Sequence, residues 1–307
     1  MKLVYGKGIV SPTKHTIDNH YHLHYDCVLL HYLEVKKQMR NIIKERVTHV
    51  HHWNENLFSF KITRQKSFTF ENGQFVMIGL EIDGKPLMRA YSIASANYAE
   101  ELEFFSIKIP NGALTSKLQK IKVGDELVLT TKPAGTLVPG HLTPGKNLYL
   151  LCTGTGLAPF MSIIRDPDIY DKFEKIILVH CVRKVSELTY QTDIELDLPN
   201  NPYFGELVAD KLVYYPTVTR EIYEYNSLNK LDGLKPHQGR ITDLLKSNTI
   251  TQALELPDIS PQNDRFMLCG NDAMLQDLMT ILNAKNFTKA TSRTQGHYVI
   301  EQAFIEK

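Results

Sequence analysis

The chain has 307 residues, of which 43% are apolar and 22% are charged. This is an ordinary globular composition, and the length is enough for two modest domains. The 35 basic and 34 acidic residues leave a formal net charge of +1, so the overall charge favours neither a nucleic-acid-binding protein nor a membrane-surface protein.

The cysteines are too widely spaced for a zinc ribbon or a fused iron–sulfur cluster. They stand at Cys27, Cys152, Cys181 and Cys269, and the last three lie in apolar runs where free cysteines are usually buried. No apolar run reaches the length of a membrane span, and the N-terminus lacks a signal-peptide pattern. We therefore expect a cytoplasmic protein without disulfides.

Residues 1–38 show no sustained helical or strand period and are rich in histidine. His20, His22, His24 and Cys27 could ligate a metal, but no oriented second shell is apparent. The alternatives are a poorly ordered tail or an upstream start codon, with Met39 beginning the core chain. We predict an appended segment and no metal site.

Residues 42–144 have the pattern of a small antiparallel barrel. Phe58, Phe60 and Ile62 alternate with polar residues, and turn signals follow at 71–73 and 83–84. Further strands are predicted at 74–82, 87–93, 102–109 and 126–130, with one short helix at 114–121.

From residue 145 to the C-terminus the pattern changes to apolar strands alternating with helices, which predicts an α/β domain with a parallel sheet. The strands are expected at 148–152, 175–181, 211–218 and 265–269. The apolar stripe of Met274, Leu275 and Leu278 predicts a helix after the last strand, capped by Asn271 or Asp272.

The segment 148–160 is a strand, a glycine turn and a helix with Pro159 in its first turn. Gly154 and Gly156 would let backbone amides approach a pyrophosphate. A GxG pair alone is weak evidence, because a third glycine is missing and a structural turn would have the same pattern.

The segment RAYS places Arg89 and Tyr91 on one face of a strand, with Ala90 and Ser92 on the other. An arginine can bind phosphate, and a phenol ring can stack on a planar heterocycle. An exposed arginine beside a packed tyrosine would give the same pattern. Downstream, Thr115 and Ser116 lie at a helix start where they could hold phosphate oxygens or act as a simple N-cap.

Together these motifs resemble those of the ferredoxin-NADP reductase superfamily, over about residue 42 to the end. RAYS resembles the family's RxYS, GTGLAPF its GTGxxP turn, and Cys269-Gly-Asn-Asp-Ala-Met274 its CGxxxM. The C-terminal AFIEK is closest to the bacterial subgroup that ends in AFVEK. The resemblance implies a Greek-key FAD barrel at 42–144 and a Rossmann-like NADP domain at 145–307.

The resemblance also implies a role for individual residues. It puts Tyr91 on one flavin face, Arg89 at the FAD phosphates and Ser92 near the flavin N5 edge. The FAD set is Arg89, Ala90, Tyr91, Ser92, Ser106, Ile107, Lys108, Leu114, Thr115, Ser116 and Thr155. The NADP set is Thr153, Gly154, Arg220, Arg240, Cys269, Gly270, Asp272 and Met274.

Within the NADP set, Arg220 and Arg240 would read the 2′-phosphate. The catalytic set implied by the resemblance is Tyr91, Ser92, Cys269, Ala303 and Phe304. Plant members of the family end in a tyrosine stacked on the flavin, whereas here Ala303 would cover the ring and Phe304 would pack beside it. A tail that only closes the last strand is the alternative for these two residues.

The resemblance implies hydride transfer from C4 of NADPH to N5 of FAD, then single-electron transfer to ferredoxin or flavodoxin. The alternatives are the reductase component of an oxygenase, a non-catalytic flavin-binding module and an unrelated α/β binding domain. We expect a monomer that binds neither nucleic acid nor membranes. Arg64, Lys66 and Lys108 are candidates for a basic docking rim, if the fold brings them together.

Overall fold

The computed structural model describes residues 41–225 and 238–302. From Ile43 onwards the described residues belong to one compact unit. The histidine-rich segment 1–38 and the predicted site residues Ala303 and Phe304 lie outside the described residues. No helix within the described ranges is long and apolar enough to cross a membrane.

The first part of the chain folds into a six-stranded sheet with the order β4-β3-β6-β1-β2-β5. The pairs β1–β2, β2–β5, β3–β4 and β3–β6 are antiparallel. A bridge between Ile93 and Phe104 joins the two edges, which confirms the predicted antiparallel barrel. The strands, called here the barrel half, are β1 (Ile42–His52), β2 (Leu57–Thr63), β3 (Phe75–Ile82), β4 (Lys85–Ser92), β5 (Glu101–Ile107) and β6 (Glu126–Thr130).

The barrel core is built from the alternating residues that the sequence singled out. Phe58, Phe60 and Ile62 are completely buried. The predicted helix at 114–121 is shorter, because only Thr115–Leu118, here α1, is α-helical. The amide of Ile121 bonds to the Leu118 carbonyl three residues back, so the turn tightens and the helix ends.

The second part of the chain contains a parallel five-stranded sheet with the order β11-β10-β7-β8-β9. This confirms the predicted parallel α/β architecture. Its strands, called here the α/β half, are β7 (Asn147–Thr153), β8 (Lys175–Val182), β9 (Leu212–Val218), β10 (Asp264–Gly270) and β11 (Tyr298–Gln302). The α-helices of this half are α2 (Ala158–Ile164), α3 (Pro167–Lys172), α4 (Gly205–Lys211), α5 (Ile241–Lys246), α6 (Thr249–Ala253) and α7 (Asp272–Ala284).

Different elements pack on the two faces of the parallel sheet. On one face Tyr149 and Leu151 pack with residues of α5 and α7. On the other face Leu148 and Leu150 share a core with α2 and with barrel residues that include Phe105. One hydrophobic core therefore joins the two halves, and β5 and α2 are brought to the same junction.

Candidate functional site

A cavity of about 270 Å³ lies at the junction of the two halves. Its walls come from β3, β4, β5 and α1 on the barrel side, and from the turn after β7, the start of α2 and the end of β10 on the other. The lining residues are Met77, Arg89, Ala90, Tyr91, Ser92, Phe105, Ser106, Ile107, Ile109, Thr115, Thr155, Ala158 and Cys269.

The junction cavity brings together residues that are far apart in the sequence but were predicted to share a site. These are Arg89, Ala90, Tyr91, Ser92, Ser106, Ile107, Thr115, Thr155 and Cys269. The sequence analysis missed four lining residues, which are Met77, Phe105, Ile109 and Ala158. Met77 could have been found, because it is the direct partner of Ala90 in the β3–β4 hairpin.

The Tyr91 side chain is held against β5 at the wall of the junction cavity. Its hydroxyl lies 3.2 Å from the Ser106 Oγ, and its ring meets Phe104 edge-on at 6.5 Å between centroids. Arg89 lies two residues earlier on β4 and is exposed. The cavity therefore combines a fixed aromatic ring, several hydroxyls and a guanidinium.

The glycine turn between β7 and α2 has the predicted form, with a 3₁₀ turn at Gly154–Leu157 and Pro159 in the first turn of α2. Gly154 has φ +53° and no atom within 4 Å of the position of a Cβ, so space is open beside it. A Cβ on Gly156 would lie 2.5 Å from the Cys269 carbonyl oxygen. Gly156 is therefore needed for the close packing of this turn on β10.

His180 of β8 contacts the glycine turn. This contact was not predicted from the sequence. The His180 Nε2 lies 3.3 Å from the Gly154 carbonyl, and its Nδ1 lies 3.3 Å from the Tyr214 hydroxyl. Burial lowers the pKa of His180 to about 4. The ring is therefore neutral near pH 7, donates through Nε2 to the carbonyl and accepts from Tyr214.

Two acidic groups near the junction cavity are held protonated by burial. The Cys269 thiol is buried, and burial is the main reason that its pKa lies well above the usual value. Burial raises the pKa of Glu301 to about 8. Cys269 is thus an uncharged thiol at the cavity wall rather than a thiolate nucleophile.

A second cavity of about 450 Å³ is lined by three cationic residues. Arg183 and Lys184 follow β8, Arg220 follows β9, and the Arg220 amide donates to the Arg183 carbonyl at 2.9 Å. Its lining residues are Asn54, Glu55, Asn56, Arg183, Lys184, Ser186, Glu187 and Arg220.

Arg183 and Lys184 were missed in the sequence analysis. The signal for them was available, since both follow a buried parallel strand in the same way that Arg220 does. The carboxyl ends of parallel strands lie at one edge of the sheet, where ligands bind in open α/β sheets.

The remaining predicted site residues line neither cavity and stay predictions. Leu114 and Met274 are buried in the two separate cores, and Lys108 donates to the Asn54 carbonyl at 2.6 Å. The Asn271 side chain, rather than that of Asp272, caps α7 by accepting from the Met274 amide. The full set is Lys108, Leu114, Ser116, Thr153, Gly154, Arg240, Gly270, Asp272 and Met274.

Of the three candidates for a basic docking rim, two have intramolecular partners. Arg64 donates to the carbonyls of Phe68, Asn97 and Ala99, and Lys108 is bonded to Asn54. In the part of the chain that the structure describes, no group of three or more His, Cys, Asp or Glu residues could hold a metal ion.

Comparison with protein families gives two matches that follow each other along the chain. Residues 43–138 match the oxidoreductase FAD-binding domain. Residues 150–280 match the oxidoreductase NAD-binding domain. The junction cavity draws residues from both matched regions.

Similar proteins cover nearly the same part of the chain. The ferredoxin–NADP reductase of Azotobacter vinelandii is 55% identical over 270 residues, which are 88% of this chain and 100% of the relative. The flavodoxin/ferredoxin–NADP reductase of Rhodobacter capsulatus is 46% identical over 262 residues, or 85% of this chain and 93% of the relative.

A solved structure shows the same architecture. The crystal structure of a ferredoxin NADP⁺ reductase from Neisseria gonorrhoeae with bound FAD and NADP superposes with a TM-score of 0.75 at 32% identity. The match covers 86% of this chain and 99% of that structure.

Proposed function

This chain belongs to the ferredoxin–NADP reductase family, and from that premise we propose that it uses FAD to pass electrons between NADPH and ferredoxin or flavodoxin. The observation that carries the proposal is the junction cavity, which unites the RAYS strand, the glycine turn and Cys269. When bound, FAD supplies the chemistry, since it accepts a hydride from a nicotinamide and releases electrons singly to a carrier.

The residues of the junction cavity fit a flavin nucleotide. Tyr91 offers a ring for stacking, and its bond to Ser106 fixes the ring before a ligand arrives. Arg89 and Thr115 offer a charge and a hydroxyl for phosphate oxygens. We infer that the barrel half binds and orients FAD, and that Thr155 and Ala158 approach it from the α/β half.

The residues of the second cavity fit the 2′-phosphate of NADP. Arg183, Lys184 and Arg220 outnumber the two acidic lining residues Glu55 and Glu187, and arginine suits the recognition of a dianionic phosphate. We infer that Arg220 binds this phosphate and that Arg183 and Lys184 lie beside it. Arg240 stays part of this proposal, as do Thr153, Gly154 and Gly270 for the pyrophosphate and nicotinamide.

Several finer statements are part of the same proposal. We propose an FAD domain at 42–144 and an NADP domain at 145–307, a monomeric protein, and a location in the cytoplasm. The buried free thiols of Cys152, Cys181 and Cys269 support a reducing compartment. The name of the Rhodobacter capsulatus relative supports flavodoxin as a second carrier.

The first test of the proposal is an anaerobic stopped-flow experiment on the purified protein. We expect a flavin absorbance spectrum that bleaches much faster with NADPH than with NADH, and electrons that pass on to added ferredoxin or flavodoxin. A bound flavin that NADPH does not bleach would indicate a non-catalytic flavin-binding module. A protein that cannot be reconstituted with FAD would overturn the proposal.

Arg220→Ala tests the assignment of the 2′-phosphate. We expect the KM for NADPH to rise roughly 10- to 100-fold, because a hydrogen bond to a charged group contributes about 1.5–3 kcal/mol. The KM for NADH should change little, because NADH lacks this phosphate. Equal changes for both coenzymes would contradict the assignment.

A further inference from the structure

A polar network ties the two halves together next to the junction cavity. Arg165 follows the last residue of α2, and its Nη1 donates to Glu103 Oε2 of β5 at 2.8 Å. The same nitrogen donates to the Ala94 carbonyl at 3.0 Å, and Nη2 donates to Asp193 Oδ1 at 3.2 Å. One guanidinium therefore holds two separate barrel groups and one group of the α/β half.

The other oxygen of Glu103 is also bonded across the junction. The Tyr190 hydroxyl donates to Glu103 Oε1 at 2.8 Å. The Arg165 guanidinium lies over the Tyr190 ring at 5.8 Å. Both carboxylate oxygens of this barrel residue therefore accept from the α/β half.

The network is shielded from water. The side chains of Arg165 and Glu103 are only 17% and 9% exposed. Burial alone would raise the pKa of Glu103, but the Arg165 charge and the Tyr190 hydrogen bond outweigh it, so the pKa is lowered. Glu103 is therefore ionised, and the charge pair is present at neutral pH.

The two elements joined by this pair are the ones that supply facing walls of the junction cavity. Glu103 lies on β5, whose residues Phe105, Ser106 and Ile107 line the barrel side. Arg165 directly follows α2, whose first residue Ala158 lines the other side. The pair therefore ties β5 to α2, the two elements that form these walls.

We propose that Arg165 is a positioning residue for electron transfer, which fixes through Glu103 the separation of β5 and α2 and hence the approach of the nicotinamide to the flavin. The inference rests on the proposed function. Arginine suits this task because its planar fork reaches Glu103, the Ala94 carbonyl and Asp193 at once, whereas the three donors of a lysine ammonium share one nitrogen.

The network has its own optical reporter. Trp53 is the only tryptophan of the chain, and its ring lies 4.7 Å from the Tyr190 ring, centroid to centroid. Because Tyr190 also bonds to Glu103, a change in the pair alters the surroundings of Trp53. Its emission therefore monitors the junction independently of turnover.

The test compares the FAD-loaded wild type with Arg165→Lys and Tyr190→Phe. We expect both variants to retain FAD and to keep the NADPH dissociation constant within about twofold, because neither Arg165 nor Tyr190 lines the second cavity. In Arg165→Lys, the rate of flavin reduction at saturating NADPH should fall about 10-fold, because even a small misplacement of the reactants slows their reaction. Tyr190→Phe should slow it less, and Trp53 emission should shift in both.

Arg265→Lys is the matched control. Arg265 is also a buried arginine, but among the described residues it donates only to the backbone carbonyls of residues 143, 144, 261 and 264. This variant should leave the reduction rate and Trp53 emission unchanged.

Either of two results would overturn the inference. One is an unchanged reduction rate in the variants while NADPH still reduces the wild type rapidly. The other is an equal slowing in Arg165→Lys and Arg265→Lys. If Arg165→Lys does not fold, the rate of Tyr190→Phe decides alone. A wild type that NADPH does not reduce would instead refute the proposed function.

Discussion

Glu301 is a carboxylic acid that the fold buries. It lies on β11, its side chain is buried, and its Oε2 has no hydrogen-bond partner among the described residues. A charged carboxylate at such a site is costly, so the protonated form is favoured. The same burial makes the stability of the protein depend on pH.

We expect the free energy of unfolding to fall as pH rises, because the folded protein retains the proton of Glu301. The folded protein keeps this proton up to a pKa of about 8, whereas an unfolded glutamic acid releases it above about 4.3. The free energy of unfolding should therefore fall by about 1.4 kcal/mol per pH unit between these values and level off above them.

Urea unfolding of the wild type and Glu301→Gln at several pH values checks this expectation. The neutral glutamine cannot titrate, so the difference between the two proteins isolates the contribution of Glu301. The wild type should lose stability relative to the variant from pH 5 to pH 8. A difference that is independent of pH would contradict the raised pKa.

At the scale of elements, the turn from β7 to α2 is held in place by contacts with other strands of the sheet. His180 of β8 donates to the Gly154 carbonyl and accepts from the Tyr214 hydroxyl of β9. Gly156 brings the turn against the backbone of Cys269. The turn is therefore fixed from two directions while the space beside Gly154 stays open.

Gly156→Ala should destabilise the protein by about 1–3 kcal/mol, because the new methyl group would overlap the Cys269 carbonyl and neither backbone can yield easily. Thermal unfolding measures the loss, and the affinity for NADPH should fall with it. Gly140→Ala is the control, since nothing lies within 4 Å of a Cβ there. Equal stability of both variants would show that the turn has more room than the structure indicates.

At the scale of the whole molecule, the barrel half and the α/β half share buried polar contacts as well as a core. Asn72 precedes β3 and is 4% exposed. Its Oδ1 accepts from the Ser162 hydroxyl of α2 and from the Asn97 amide, and its Nδ2 donates to Asp166. We therefore expect the two halves to unfold together.

Asn72→Ala should lower the free energy of unfolding by about 2 kcal/mol, because it leaves buried groups of both halves without partners. Trp53 emission follows the junction between the halves, and far-ultraviolet circular dichroism follows the helices of the α/β half. Both midpoints should shift together, whereas the exposed Asn200→Ala should change neither by more than about 0.5 kcal/mol. Separate midpoints in the wild type would contradict the shared interface.

Much of the architecture was predictable because it depends on local patterns. Alternation in Phe58, Phe60 and Ile62 predicted a barrel strand, and continuous apolar runs predicted the buried parallel strands. Strand β1 was missed because most of its residues are exposed or half-buried and only Glu45 and Val47 are buried. A strand of this kind carries almost no hydrophobic period.

The sequence by itself determined the order of the motifs, the two-part architecture and most of the residues that line the junction cavity. Arg183 could also have been placed near Arg220 from the sequence, because parallel strands end at one edge of the sheet. Only the tertiary structure revealed the contacts of His180 and Arg165. His180 and Arg165 act through partners 26 and 62 residues away in the chain, and no local pattern in a sequence encodes which distant groups a buried side chain will meet.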